Sequence, residues 1–313
     1  MALFGRKAPA VEVDDLLRHP PAHAAAVAAA AGDVAAVGAV LGTATGESRT
    51  LVVDGVARNL SLPAAAGWTD AEPGRADAWL ARAATEAWLA AEARGAGRAK
   101  TLSTGQRLDF AQLMSDARRS ASRAAELAPA DPEPLHVLIK TCYALGPDDL
   151  EGLFAELRRR DPWHLYGLGT TVDLLAEKWY GEGDEARALA DDLAAAAPEG
   201  SLVPVVVAAA MREQWYYLAV FRKERDAAIG FVAMPETRAA LDAARGRSVG
   251  SPAYQPSPMA PWAANTFAYT FYNFGRHADA AALLAPLDGL CTSHPWAMSG
   301  DPAATYAKAL KGK

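Results

Sequence analysis

Cysteine is nearly missing from this chain of 313 residues, which carries only Cys142 and Cys291. Two thiols so far apart give neither a disulfide framework nor metal-ligand spacing. Buried free thiols in a reducing compartment are expected. Histidine is scarce too, with six residues. His19 and His23 stand four apart, but Pro20 and Pro21 between them prevent a shared helix face, so no metal pair is expected. His136 and Cys142 lie six apart on one predicted helix and point in different directions, which argues against a Cys/His nucleophile pair. His164, His277 and His294 stand singly beside a Pro, a Trp or a turn, where local capping or exposure accounts for them. The chain also lacks a Walker loop, GxGxxG, HExxH and GxSxG. No catalytic residue, metal ligand or cofactor is expected.

Positive charge is in short supply: 31 Lys and Arg face 37 Asp and Glu, a net charge of −6. That balance argues against bulk nucleic-acid binding, which depends on neutralising phosphates. One stretch is basic, with Arg94, Arg98, Lys100, Arg107, Arg118, Arg119 and Arg123. Glu92, Asp109 and Asp116 are interspersed, and the stretch reads as a solvated helix face. Long hydrophobic runs are missing as well. The alanine run from Ala22 to Leu41 contains His23 and Asp33, and Gly32-Asp33 reads as a helix stop and a new N-cap, so no membrane insertion is expected. Met1 to Lys7 is basic, but Glu12, Asp14 and Asp15 follow where a leader's apolar run would begin. A cytoplasmic protein is expected.

What is abundant is alanine, about a quarter of the chain. Each buried methyl is worth only about 0.8 kcal/mol, so the core must lean on Leu, Val and the large aromatics. Alanine favours helix because it loses no side-chain entropy there. Few segments alternate with period two, and most apolar positions recur at helical spacing. The pattern predicts helices over 22–31, 33–41, 50–60, 76–94, 106–127, 132–145, 148–160, 163–178, 183–197, 202–220, 235–245, 261–274, 276–285 and 302–310. Leu51-Val52-Val53 could instead open a strand; the shared face of Val52, Val56 and Leu60 favours helix. Asp131-Pro132, Asp161-Pro162 and Asp301-Pro302 each set a capping Asp before a Pro at the first helical position. Ser103 and Gln106 have capping-box spacing. From Arg245 to Trp262 the density of Pro252, Pro256, Pro258 and Pro261 leaves no helix, only a long loop or linker.

A repeat runs through the helices. Ala117, Ala121, Ala124 and Pro129 share their offsets of 0, +4, +7 and +12 with two other sets. These are Leu150, Phe154, Leu157 and Pro162, and Ala186, Ala190, Leu193 and Pro198. Ala280, Leu284 and Leu287 keep the first three. The prolines recur at about the period of a 34-residue helix-turn-helix unit. Gly181-Glu182-Gly183-Asp184-Glu185-Ala186, continued by Ala190, Leu193 and Pro198, resembles the second helix of a tetratricopeptide repeat, as does Gly275-Arg276-His277-Ala278-Asp279-Ala280. Thr170 and Leu174 stand where that family has Trp and Gly. The order of Gly32-Asp33, Ala87-Trp88 with Arg94-Gly95, Asp131 to Pro134, and Asp161-Pro162 with Lys178-Trp179 and Gly181 also resembles an uncharacterised bacterial family of helical-repeat proteins. The resemblance implies an all-α fold, an irregular α-solenoid of helix pairs, in which each pair is stable only against its neighbours.

The expected organisation is an N-terminal segment over 1–20, a helical-repeat domain over 21–245, a Pro-rich loop over 246–261 and a last repeat over 262–313. Trp262, Asn265, Tyr269, Tyr272 and Asn273 fall at offsets 0, +3, +7, +10 and +11, an amide-and-aromatic stripe suited to a peptide or partner helix. Arg212, Trp215 and Tyr216 form a second candidate, because Trp215 and Tyr216 cannot both face one core. The expected function is a non-enzymatic scaffold that binds a protein or peptide through a concave groove. The alternatives are a hydrolase or transferase with a site near the 245–262 loop, where Tyr254 and His294 would be the suspects, and a sensor of small ligands or peptides.

Overall fold

A computed structural model describes residues 10–95 and 101–312. The basic segment Met1 to Lys7, and Arg98 and Lys100 of the basic stretch, lie outside the described residues. Among the described residues the fold is all-α, with sixteen α-helices and one two-residue strand pair. In chain order the helices are α1 (Pro20–Ala30), α2 (Val34–Thr43), α3 (Gly46–Asn59), α4 (Leu62–Ala71), α5 (Ala76–Arg94), α6 (Thr104–Leu127), α7 (Glu133–Leu145) and α8 (Leu150–Arg160). Then follow α9 (Leu165–Leu174), α10 (Glu185–Ala196), α11 (Val205–Tyr216), α12 (Arg225–Ala233), α13 (Pro235–Arg247), α14 (Ala260–Asn273), α15 (His277–Leu284) and α16 (Pro302–Leu310).

Most boundaries follow local chemistry. Asp33 accepts the Ala36 amide at 3.0 Å and starts α2, just after Gly32 turns the chain at φ +70°. Ser103 and Gln106 form the reciprocal capping box that opens α6. Asp301 caps α16 through the Ala304 amide at 2.7 Å. Residues 50–59 are helical within α3, which closes the strand alternative, and Leu60 is its extended C-cap. Two helices were not anticipated. In α4, Ser61 caps the Ala64 amide and Pro63 lies in the first turn, but the alanines after it carry little periodicity. The other is the short α12. The Asp-Pro pairs before α7 and α9 also differ from expectation: Asp131 and Asp161 accept amides only two residues on, from Glu133 and Trp163. They make tight turns, and α9 is capped instead by the His164 ring. The Pro-rich segment is irregular from Ser248 to Met259.

The chain divides into two compact units, with the boundary inside α10. The central unit runs from Arg18 to Leu189. In it α5 and α6 pack along much of their lengths, and α7 packs on α3, α5, α6, α8 and α9. The repeat offsets mark its seams. Ala117, Ala121 and Ala124 of α6 are fully buried, as is Leu157 of α8. Small side chains there let helix axes approach toward the short end of the usual 8–10 Å. After α9 the chain turns sharply at Gly181, where a Cβ would run into the Leu175 carbonyl.

The terminal unit takes residues up to Leu17 and from Ala190 onward. A parallel strand pair, β1 (Glu12–Val13) with β2 (Leu290–Cys291), ties its two chain segments together. Around it α14 supplies the core, with Phe267, Tyr269 and Phe271 fully buried. The end of α11 widens into a π-helical turn over Tyr217–Arg222, stopped by Lys223 in the left-handed region.

Candidate functional site

The helices of the central unit bring a set of titratable side chains into one buried cluster. On α7, Glu133, His136 and Lys140 fall at i, i+3 and i+7 and so share a face. The start of α9 supplies His164, and α3 supplies Thr50. Glu133, His136, His164 and Thr50 are all buried. Thr50 donates its hydroxyl to Glu133 Oε1 at 2.5 Å, and His164 Nε2 lies 3.0 Å from the same oxygen. His136 Nδ1 stands 3.7 Å from Glu133 Oε2, and its Nε2 faces the Thr170 hydroxyl at 3.4 Å. The two imidazole rings are 5.4 Å apart.

Tautomers follow from the partners. His164 Nδ1 accepts the Gly167 amide at 3.1 Å, which caps α9. Its ring proton is therefore on Nε2 and points at Glu133. Burial alone would raise the Glu133 pKa, but His164 and then His136 outweigh it and hold the carboxyl well below its usual range. Burial, reinforced by the Lys140 charge, pushes His136 down to about 3, so it stays neutral. Burial disfavours a charged His164 too, yet the Glu133 carboxylate pulls its pKa above the ordinary value. Half-buried Lys140 is lowered by burial, against the pull of Asp54 and Glu133.

A second pair of contacts fastens the cluster. Arg49, next to Thr50, reaches Asp131 with Nε at 3.1 Å and Nη2 at 2.5 Å. It also holds Asp77 at 2.9 Å and the Leu41 carbonyl at 2.7 Å. Two consecutive residues of α3 thus grip Asp131 and Glu133, the turn and first residue of α7.

Glu133, His136 and His164 each offer a ligand atom, and these atoms lie within 4.8 Å of one another. The types suit a transition metal. The hydrogen bonds divide. A metal on His164 Nε2 would need the ring proton moved to Nδ1, against the Gly167 amide, whereas Glu133 Oε2 is buried with no hydrogen-bond partner among the described residues. As arranged, the cluster is a buried junction of α3, α7 and α9, hydrogen-bonded through Glu133 Oε1.

An open cleft of about 450 Å³ lies elsewhere in the same unit, between α5 and α6. Trp79, Arg82 and Glu86 line it from α5 at i, i+3 and i+7. Asp116, Arg119, Ser120 and Arg123 line it from α6 at i, i+3, i+4 and i+7. Glu86 is buried at its floor and accepts from Arg82 Nε at 2.9 Å and from the Ser120 hydroxyl at 2.7 Å. Arg119 pairs with Asp116, and Arg123 with Glu126 at 2.9 Å.

The residues singled out from sequence belong to the terminal unit. Asn265 is fully buried; its amide donates to the Pro261 and Leu290 carbonyls, and its oxygen accepts from Trp296 Nε1 at 2.7 Å. Tyr269 is fully buried, its hydroxyl 2.7 Å from that of Ser299. Trp262, Tyr272 and Asn273 are half-buried. The stripe does not face solvent as a whole, because the segment around Trp296 folds over α14, a tertiary event that spacing does not encode. Arg212 is buried against Glu213, and Trp215 and Tyr216 are half-buried at the π-helical turn. The Cys142 thiol turns to the Leu138 carbonyl and Asp149. Capping explains His164 as expected, but its second nitrogen joins the cluster. The Asp-Pro turns, each followed within five residues by a His, were the available sign. Arg119 and Arg123 were legible only as a solvated face, since Arg82 lies far away in sequence.

No known family matches the chain, and neither the curated proteins nor the solved structures yield a match.

Proposed function

We propose that this protein is a non-enzymatic helical-repeat module that binds a protein or peptide partner. Helices α5 to α9 are read as an irregular, tetratricopeptide-like array in which successive pairs share α7 as their common neighbour. The observation that carries the binding reading is the cleft between α5 and α6. It combines an indole, three guanidinium groups and two carboxylates on paired helix faces, the mixture of aromatic and Arg side chains that supplies most binding energy at protein surfaces. The buried cluster supports the same reading from the other side. Its acid and bases are turned on one another beneath the surface, where they hold helices together.

The test is site-specific photocrosslinking in cells, with a photoreactive amino acid at Trp79 and, as a control, at Arg159 on the exposed side of α8. A discrete crosslinked protein from position 79, reduced by Arg82→Ala, is expected. Equal products from both positions would overturn the reading.

A further inference from the structure

We infer that Glu133, His136 and His164 bind one divalent transition-metal ion of the zinc type, through Glu133 Oε2, His136 Nδ1 and His164 Nε2. The site is separate from the α5–α6 cleft, and the ion would fasten α7 to the start of α9.

Oε2 of Glu133 carries the argument. Glu133 is 1% exposed, and Oε2 has no hydrogen-bond partner among the described residues. A buried carboxylate oxygen without a donor is costly, and a bound cation satisfies it. Thr50 holds the other oxygen, Oε1, and so fixes the carboxylate from behind. His136 Nδ1 stands 3.7 Å from Oε2. The Thr170 hydroxyl, 3.4 Å from His136 Nε2, can accept the ring proton on that side, which leaves Nδ1 a lone pair on the Glu133 side. Two donors on one tetrahedral ion at about 2.1 Å stand about 3.4 Å apart, close to the observed spacing. A water bonded to both at about 2.8 Å would hold them about 4.4 Å apart, a poorer match. His164 Nε2 completes the set, and the three ligand atoms lie within 4.8 Å of one another.

One carboxylate and two imidazoles favour a borderline ion such as zinc over calcium or magnesium, which take oxygen ligands. Two effects oppose binding. His164 must carry its proton on Nδ1, and the Gly167 amide then loses its acceptor. Such a bond is worth roughly tenfold in an equilibrium. Zinc in four-ligand peptide sites gains about ten-million-fold or more, so a three-ligand site keeps a margin over that loss. The second effect is Lys140, on the same face of α7, whose positive charge acts on His136. Lys140 is therefore a brake on affinity, and its removal can be measured.

The test uses the full-length protein stripped by chelator, with Co²⁺ as a spectroscopic probe and Zn²⁺ as its competitor at neutral pH. The expected result is one Co²⁺ per chain with the visible absorption of a tetrahedral site, lost on adding an equivalent of Zn²⁺. The melting temperature should rise with Zn²⁺. His136→Asn should weaken binding at least about a hundredfold. His23→Asn, at an exposed position of α1, should change it less than about twofold. Lys140→Met should tighten binding at least about threefold, a gain that damage to the fold does not mimic. Absence of both the cobalt band and the zinc-dependent melt shift in the wild-type chain overturns the inference. So does a band that persists in His136→Asn or disappears in His23→Asn, which would make the metal an adventitious ion at another histidine. An affinity of Lys140→Met equal to or below wild type also overturns it, because the ion would then not lie beside His136.

Discussion

Glu133 is the residue on which the central unit's polar interior turns. Its carboxylate is an acceptor for two buried donors, Thr50 and His164, that sit on different helices. Removing one partner of a buried charged network leaves the others desolvated and unpaired, at a cost of about 3–5 kcal/mol. Urea unfolding of Glu133→Ala should show a loss of that order, and Thr50→Val only about 1 kcal/mol. The double variant should lose less than the sum, because the two side chains share one bond. The cluster also sets a pH dependence. His136 is held neutral down to about 3, whereas an unfolded His titrates near 6.5. Between those values the unfolded chain binds more protons, so stability present above pH 6.5 is lost as pH falls toward 3. The slope is at most about 1.4 kcal/mol per pH unit. Glu133, held low, adds loss of the same sign below its ordinary value near 4.5. His164 works the other way: raised by Glu133, it contributes stability that is present below 6.5 and lost as pH rises through its folded value. Its second proton would occupy Nδ1 and cost the Gly167 cap, so His136 and Glu133 set the net sign in acid. Urea melts from pH 7 to 4 should therefore decline, and His136→Asn should flatten the slope between pH 6.5 and 4.5. Parallel slopes would mean that His136 is not its source. Both thiols are buried, with Cys291 pushed up to about 12 by burial and Cys142 raised for the same reason. Native protein at pH 8 should titrate with almost no reactive thiol, and denatured protein with two.

At the level of helices, the alanine positions of the repeat carry the packing. Ala121 has no exposed surface and faces the interior from the C-terminal half of α6. A leucine there adds three carbons to a closed seam and should cost about 1–3 kcal/mol through overpacking. A thermal melt of Ala121→Leu that matches wild type would show that the packing around α6 is looser than described. The spacing of those alanines was readable without coordinates, because burial follows the 3.6-residue period. Asp33, Ser103 and Asp301 acted as caps for the same reason: each bond closes within three residues. Asp131 and Asp161 show where local reading stops. A short acid before proline can close a turn two residues on as readily as it can cap a helix, and Arg49, eighty-two residues from Asp131, holds it in that role.

For the molecule as a whole, the two units make distinct demands on stability. The Glu133 junction lies within the central unit, and the Trp296–Tyr269–Asn265 core lies within the terminal unit. Hydrogen exchange resolves them. In Glu133→Ala, amides of α3, α7 and the first turn of α9 should exchange faster, while those of α14 keep their wild-type protection. Faster exchange throughout would show that the chain unfolds as one cooperative body.

Amino-acid order alone settled what depends on neighbours within a few residues: the helical class, most helix starts and stops, the buried alanine seams and the inward thiols. Folding decided which faces meet. Glu133 lies 83 residues from Thr50 and 31 from His164, and Arg82 lies far from Arg119 along the chain. Helical periodicity states which side of a helix is buried or polar. It does not state which other helix that side will touch, so a buried junction and an open arginine cleft emerged only from the packing.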